Sequence, residues 1–167
     1  MTAAWSFAAL GLPAPQGSKR HVGHGVMVEN STRVRPWREA VKSAGFGAGP
    51  CLDGPLAVVM VFTMPRPKSA PKRVTRPDRT PDLSKLCRAT EDAITEVGLW
   101  ADDARVAEYV RLAKVFPGLE GYALPVPGVV VAASEIWDDR YPERLYAAAG
   151  AFCLAVHTTL REGVSCG

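Results

Sequence analysis

The 167-residue chain (17.9 kDa) is 47% apolar and 22% charged, which fits one soluble domain over residues 1–167 and excludes a multidomain machine or a disordered chain. Cys51, Cys87, Cys153 and Cys166 show no C-x-x-C spacing and no zinc-type pairing with the three histidines, so they read as reduced thiols. The net charge of +3 is unevenly divided, with 14 Lys/Arg and 5 Asp/Glu in residues 1–88 against 6 and 12 in residues 89–167.

The opening residues Trp5, Phe7 and Ala9 alternate like a strand and stop at Pro13-Ala14-Pro15, ahead of a loop running to about Gly25. No basic n-region precedes this strand, and the longest apolar run, Leu145–Val156, holds about twelve residues against about twenty for a membrane span. The expectation is a cytoplasmic protein without membrane contact. Ser31 or Thr32 is placed to cap a helix that takes in Trp37, Ala40, Val41 and Ala44 and ends near Gly45. Leu56 to Met64 is a continuous apolar run between prolines, the mark of a buried strand.

Eight cations lie in residues 66–88 (Arg66, Lys68, Lys72, Arg73, Arg76, Arg79, Lys85 and Arg88), against only Asp78 and Asp82. Such a basic stretch suits a polyanion, nucleic acid first, although a solvated loop carries the same signature. Thr80-Pro81-Asp82 provides a helix start, with the proline suited to the first turn and the carboxylate to the positive end of the dipole. Leu83, Leu86, Thr90, Ala93, Ile94 and Val97 then form one apolar stripe up to Gly98, leaving Lys85, Arg88 and Asp92 on the polar face. Arg105–Val115 and Gly128–Ile136 read as further strands and residues 142–161 as a final Ala-rich helix. The sum is an α/β (α+β) fold, a small mixed sheet flanked by helices, with a core over about residues 5–136.

Asp82 at a helix start and Asp102-Asp103 before a strand are the carboxylates that a hard divalent cation would use, with substrate phosphate as a further ligand. Spacing alone leaves a second reading open, with Asp82 a helix cap and Asp102-Asp103 an ordinary turn. Other signals are weaker. Gly17-Ser18-Lys19 does not match a phosphate loop, His21 and His24 lack a third ligand, His157 reads as a packing or surface residue, and Asp138 and Asp139 read as helix-start charges.

The segment Pro81-Asp82-Leu83-Ser84-Lys85-Leu86-Cys87-Arg88-Ala89-Thr90-Glu91-Asp92-Ala93-Ile94, followed by Gly98-Leu99-Trp100-Ala101-Asp102-Asp103-Ala104-Arg105-Val106, resembles the RusA family of Holliday junction resolvases, and Pro13-Ala14-Pro15-Gln16-Gly17-Ser18-Lys19-Arg20 with Ser31-Thr32-Arg33-Val34-Arg35-Pro36-Trp37-Arg38 resembles its phage and prophage members. The family pattern is D-L-D-N/K-L-x-K/R-A-x-x-D-A-L, then D-D-x-Q/R-V. The resemblance covers roughly residues 5–136. It implies a homodimer that binds branched DNA at four-way junctions and cuts two strands symmetrically with Mg²⁺ or Mn²⁺. Carried over position by position, Asp82 and Asp103 are metal ligands and catalytic, Asp102 is a secondary ligand, and the basic helix residue falls on Arg88. Lys19, Arg20, Lys72, Arg73, Arg76 and Lys85 are the expected DNA contacts. The family's second aspartate falls on Ser84, which leaves the metal set one charge short. A non-catalytic junction-binding protein with a decayed metal site is therefore the alternative.

Overall fold

The structure, a computed structural model, describes residues 4–17, 19–21, 27–29, 32–118 and 121–164, with the backbone alone for 19–21, 27–29 and 161–164. Strand β1 (Ala4–Leu10) buries Trp5, Phe7 and Ala9 at every second position, the period of a half-buried strand. The segment expected to be loop contains a small hairpin, β2 (Lys19–His21) against β3 (Met27–Glu29). Three residues are too few to leave a periodic signal. Helix α1 (Val34–Gly45) begins at Arg33, which makes no side-chain cap bond; of the expected caps, Thr32 sits in the preceding turn and Ser31 lies outside the described residues.

Strand β4 (Leu56–Thr63) is buried at all eight positions because helices cover both faces of the sheet. Leu56, Val58, Met60 and Phe62 join the core under α1 and α2 (Leu83–Val97). Ala57, Val59 and Val61 join a second core with Leu145, Ala149 and Cys153 of α3 (Tyr141–Val164). The C-terminal helix, whose role the sequence left open, therefore closes the second face. With β5 (Val106–Val115) and β6 (Gly128–Glu135) the main sheet runs β1-β6-β4-β5, where β4 is antiparallel to β6 and parallel to β5. This mixed sheet with three helices is the expected α+β fold. No helix among the described residues is long and apolar enough to cross a membrane.

The stretch that positions the candidate site is the β4-α2-β5 crossover. The chain leaves β4 through residues 64–82, returns along α2 and re-enters the sheet parallel to β4, so α2 and β5 run in opposite directions side by side. The apolar stripe of α2 is pinned by the fully buried Trp37 of α1, whose indole donates to Thr90 Oγ1 at 3.2 Å. Gly98 ends the helix at φ 77°, its N–H shared by the Ile94 and Thr95 carbonyls, a left-handed position that glycine adopts without a Cβ clash.

Candidate active site and nucleic-acid interface

With its apolar stripe in the core, α2 turns Ser84, Lys85 and Arg88 to solvent. Asp82 is the N-cap residue in extended conformation, and its side chain caps nothing. The carboxylate instead faces Lys85, Oδ2 to Nζ 3.1 Å, with both side chains about half exposed. The cap reading of Asp82 thus fails as a hydrogen bond, and the carboxylate stays available to a ligand. Pro81 precedes the cap and does not occupy the first turn. Arg88 forms no ion pair with another described residue, so its guanidinium is free for a phosphate. Asp92, the further acidic position, is held by Arg38 of α1 at 3.6 Å.

At the other end of the crossover, Asp102 accepts from the Ala104 N–H at 2.7 Å and starts the 3-10 turn Asp103–Arg105. The turn reading therefore holds for Asp102, whose carboxylate is partly committed. Asp103 is exposed. Its charge reaches Glu91, a residue that the sequence reading passed over. Burial pushes the half-buried Glu91 carboxyl above the usual carboxylate range, against the pull of the Tyr109 hydroxyl that donates to it; the Asp103 charge adds to the rise. The Cys87 thiol donates to Tyr109 Oη at 3.2 Å and is pushed up by burial to about 12, so it is inert as a nucleophile. A hint was present in the i,i+4 spacing of Cys87 and Glu91, but nothing in the sequence placed Tyr109 beside them.

The structure does not bring Asp82 and Asp103 together within one chain. Lys114, near the end of β5, donates to the carbonyls of Arg79 and Pro81 at 2.7 and 2.9 Å, so Asp82 sits at that end. Asp103 precedes the start of β5, where Val106 pairs with Leu56. Helix and strand rise put these ends on the order of 20 Å apart. Among the described residues no three His, Cys, Asp or Glu side chains are grouped to hold a metal. The expected ligands Asp82 and Asp103 thus stand at opposite ends of the crossover, with the 15-residue helix α2 between them and Asp102 beside Asp103 at the 3-10 turn.

The basic stretch 65–81 is an ordered wall. Turns close from Ala70 N–H to Pro67 and from Val74 N–H to Pro71, both at 3.0 Å. Arg66 stacks over Phe116 at 4.8 Å and donates to the Pro71 carbonyl at 3.1 Å. Lys72, Arg73 and Arg76 are exposed on this wall, and Arg73 lines a cavity together with Thr80 and Pro81, the residues before Asp82. Lys19 and Arg20 contribute backbone to β2; their side chains lie outside the described residues, as does His24. The Gln16 N–H meets the Lys85 carbonyl at 3.0 Å, which seats the segment before β2 against the start of α2. Away from this face, Asp138 accepts from the Arg140 N–H at 2.8 Å at the start of α3, and His157 is buried with Nε2 2.9 Å from the Ala123 carbonyl. Both match their readings as a helix-start charge and a packing residue. Cys51, Cys87 and Cys153 are free thiols.

The sequence model of the endodeoxyribonuclease RusA family matches residues 11–121, a span that holds α1, the basic wall, α2 and β5. No curated protein matches the chain.

Proposed function

The chain belongs to the endodeoxyribonuclease RusA family, a family of Holliday junction resolvases, and from that premise we propose a dimer that cuts two strands of a four-way junction symmetrically with Mg²⁺ or Mn²⁺. The observation that carries this reading is the pairing of α2 with the basic wall that leads into it: an aspartate free of capping duty, two cations within two turns of it, and an exposed run of Lys72, Arg73 and Arg76 that forms no ion pair with another described residue.

Asp82 and Asp103 would hold the divalent cation, which would supply a water activated at neutral pH and charge stabilisation for the leaving oxygen. The remaining work belongs to the chain. The wall holds the DNA backbone, largely through Lys72, Arg73 and Arg76 with Lys85, and makes binding steeply dependent on salt. Lys19 and Arg20 extend that contact in the same reading. Arg88 neutralises the charge that develops on the phosphate and does not serve as a proton donor, because a guanidinium stays protonated. The distance between Asp82 and Asp103 favours a site assembled from two chains, in which Asp82 of one copy and Asp103 of a second copy would hold the ion, with Asp102 as a secondary ligand. A two-fold dimer generates two such sites at once, as paired incision requires.

Ser84 favours a second reading. A hydroxyl stands where the family carries an aspartate, so the ligand set is short of one charge, and a junction-binding protein without cleavage follows if nothing compensates. One assay separates the two. The purified protein is incubated with an end-labelled four-way junction or a linear duplex in Mg²⁺, Mn²⁺ or EDTA, beside Asp82→Asn. Paired nicks near the crossover that vanish with EDTA and in the variant are expected. Tight junction binding without nicks would establish the second reading, and loss of both would overturn the reading altogether.

A further inference from the structure

Between the basic wall and the segment after β1 lies a cavity of about 550 Å³, inside the range of about 300–1,000 Å³ of small-ligand sites. Its floor is apolar, including Met64, Pro67, Val74 and Phe116. Three arginines, Arg33, Arg73 and Arg79, line it with a single carboxylate, Asp78. None of the four makes an ion pair with another described residue. Thr80 and Pro81 also line it, and the next residue is Asp82. A DNA strand held along the basic wall, which contributes Arg73 and Arg79 to the lining, therefore brings a nucleotide to this cavity.

We infer that this cavity is a binding site for one unpaired nucleotide of a DNA strand held along the basic wall. This deepens the reading of the chain as a nuclease of branched DNA and rests on it. Three chemical features select a nucleotide. The excess of guanidinium over carboxylate complements a phosphate. An apolar floor with an aromatic ring suits the face of a base, since stacking on such a surface tolerates any sequence. Asp78 is an acceptor suited to the exocyclic amino group of a base, cytosine among them, a feature that a site for phosphate alone would not need. A base inside a duplex is stacked and paired and does not enter, whereas one already freed enters with little unpairing energy. The cavity thereby favours DNA that is locally open, as at a crossover, over linear duplex.

The test uses the full chain in EDTA, without cleavage, and three probes: a duplex with one bulged cytosine, the same duplex with an abasic site in the bulge, and the fully paired duplex. The bulged cytosine is expected to bind about tenfold more tightly than the abasic bulge. Ala70→Trp, which fills the cavity from the wall without changing its charge, is expected to erase that difference while affinity for paired duplex stays within twofold. Equal affinity of the unsubstituted protein for the cytosine and abasic bulges overturns the inference without recourse to the variant. A base-dependent difference that survives in Ala70→Trp places the base elsewhere and also overturns it. Because the readout involves neither four-way junctions nor metal, a failure of junction cleavage leaves this result standing, and the two proposals fail separately.

Discussion

Subunit complementation tests the shared metal site. Metal–oxygen bonds to Mg²⁺ are about 2.0–2.1 Å long, so two carboxylates on one ion lie within a few ångströms of each other. Asp82 and Asp103 of one chain are separated several times further than that, with the whole of α2 between them. Asp82→Asn and Asp103→Asn are each expected to abolish nicking. In a heterodimer of the two variants, one site loses both aspartates and the other retains both, because each site draws one aspartate from each chain. An equal mixture that associates at random is half heterodimer, and so recovers about one quarter of the wild-type sites, as single nicks without paired incision. The assay is nicking of a labelled junction after co-refolding of the variants, with subunit exchange verified by differently tagged chains. A mixture as inactive as its parents, despite exchange, would refute the shared site.

Ser84→Asp adds a carboxylate two residues after Asp82, and the Mg²⁺ concentration for half-maximal nicking is expected to fall several-fold; an unchanged metal requirement would show that the site is already compensated. The same aspartate lies in the first turn of α2, where the helix dipole is expected to add about 0.3–1 kcal/mol of stability, measurable by urea denaturation. Replacing Lys72, Arg73 and Arg76 together by alanine is expected to reduce the slope of log affinity against log salt by about 2.7. A slope within 0.5 of the parent's, as an order-of-magnitude criterion on the same counterion relation, would remove these side chains from the backbone contact. Because burial and the Asp103 charge raise Glu91 in the folded protein, the native state holds a proton that the unfolded chain has already lost. Stability should therefore rise as pH falls from 7 through the raised native value, levelling off below the unfolded value of about 4.3. Glu91→Gln, measured in EDTA, should gain stability at pH 7 and flatten that rise; an unaltered pH profile would assign it to other groups.

The sequence was informative where one element carries its own signal. The apolar run of β4 and the stripe of α2 are visible because a strand buried on both faces has no polar position and a helix packed on one face repeats its apolar residues. β2 and β3 were missed, with Lys19-Arg20-His21 showing neither apolar content nor length. For the candidate site, the motif singled out Asp82, Arg88 and Asp103 as candidates but not their separation. A span of 21 positions contains no statement of direction until Lys114 is seen at the Pro81 carbonyl and Val106 at Leu56. Glu91 escaped for a similar reason, since its hydroxyl partner comes from another element. The cavity was illegible because its lining comes from before β2, from Arg33, from the wall and from Phe116.

The most direct measurement of the central claim uses a supercoiled plasmid that extrudes a cruciform, incubated with the protein in Mg²⁺ and resolved on a gel. Two coordinated cuts across the junction convert the circle to linear DNA, while isolated nicks give only the relaxed circle. Linear product that appears without prior accumulation of the nicked form, and that is lost in Asp82→Asn, is the result the account predicts. Relaxed circle alone, or no change with the cruciform still bound, would contradict it.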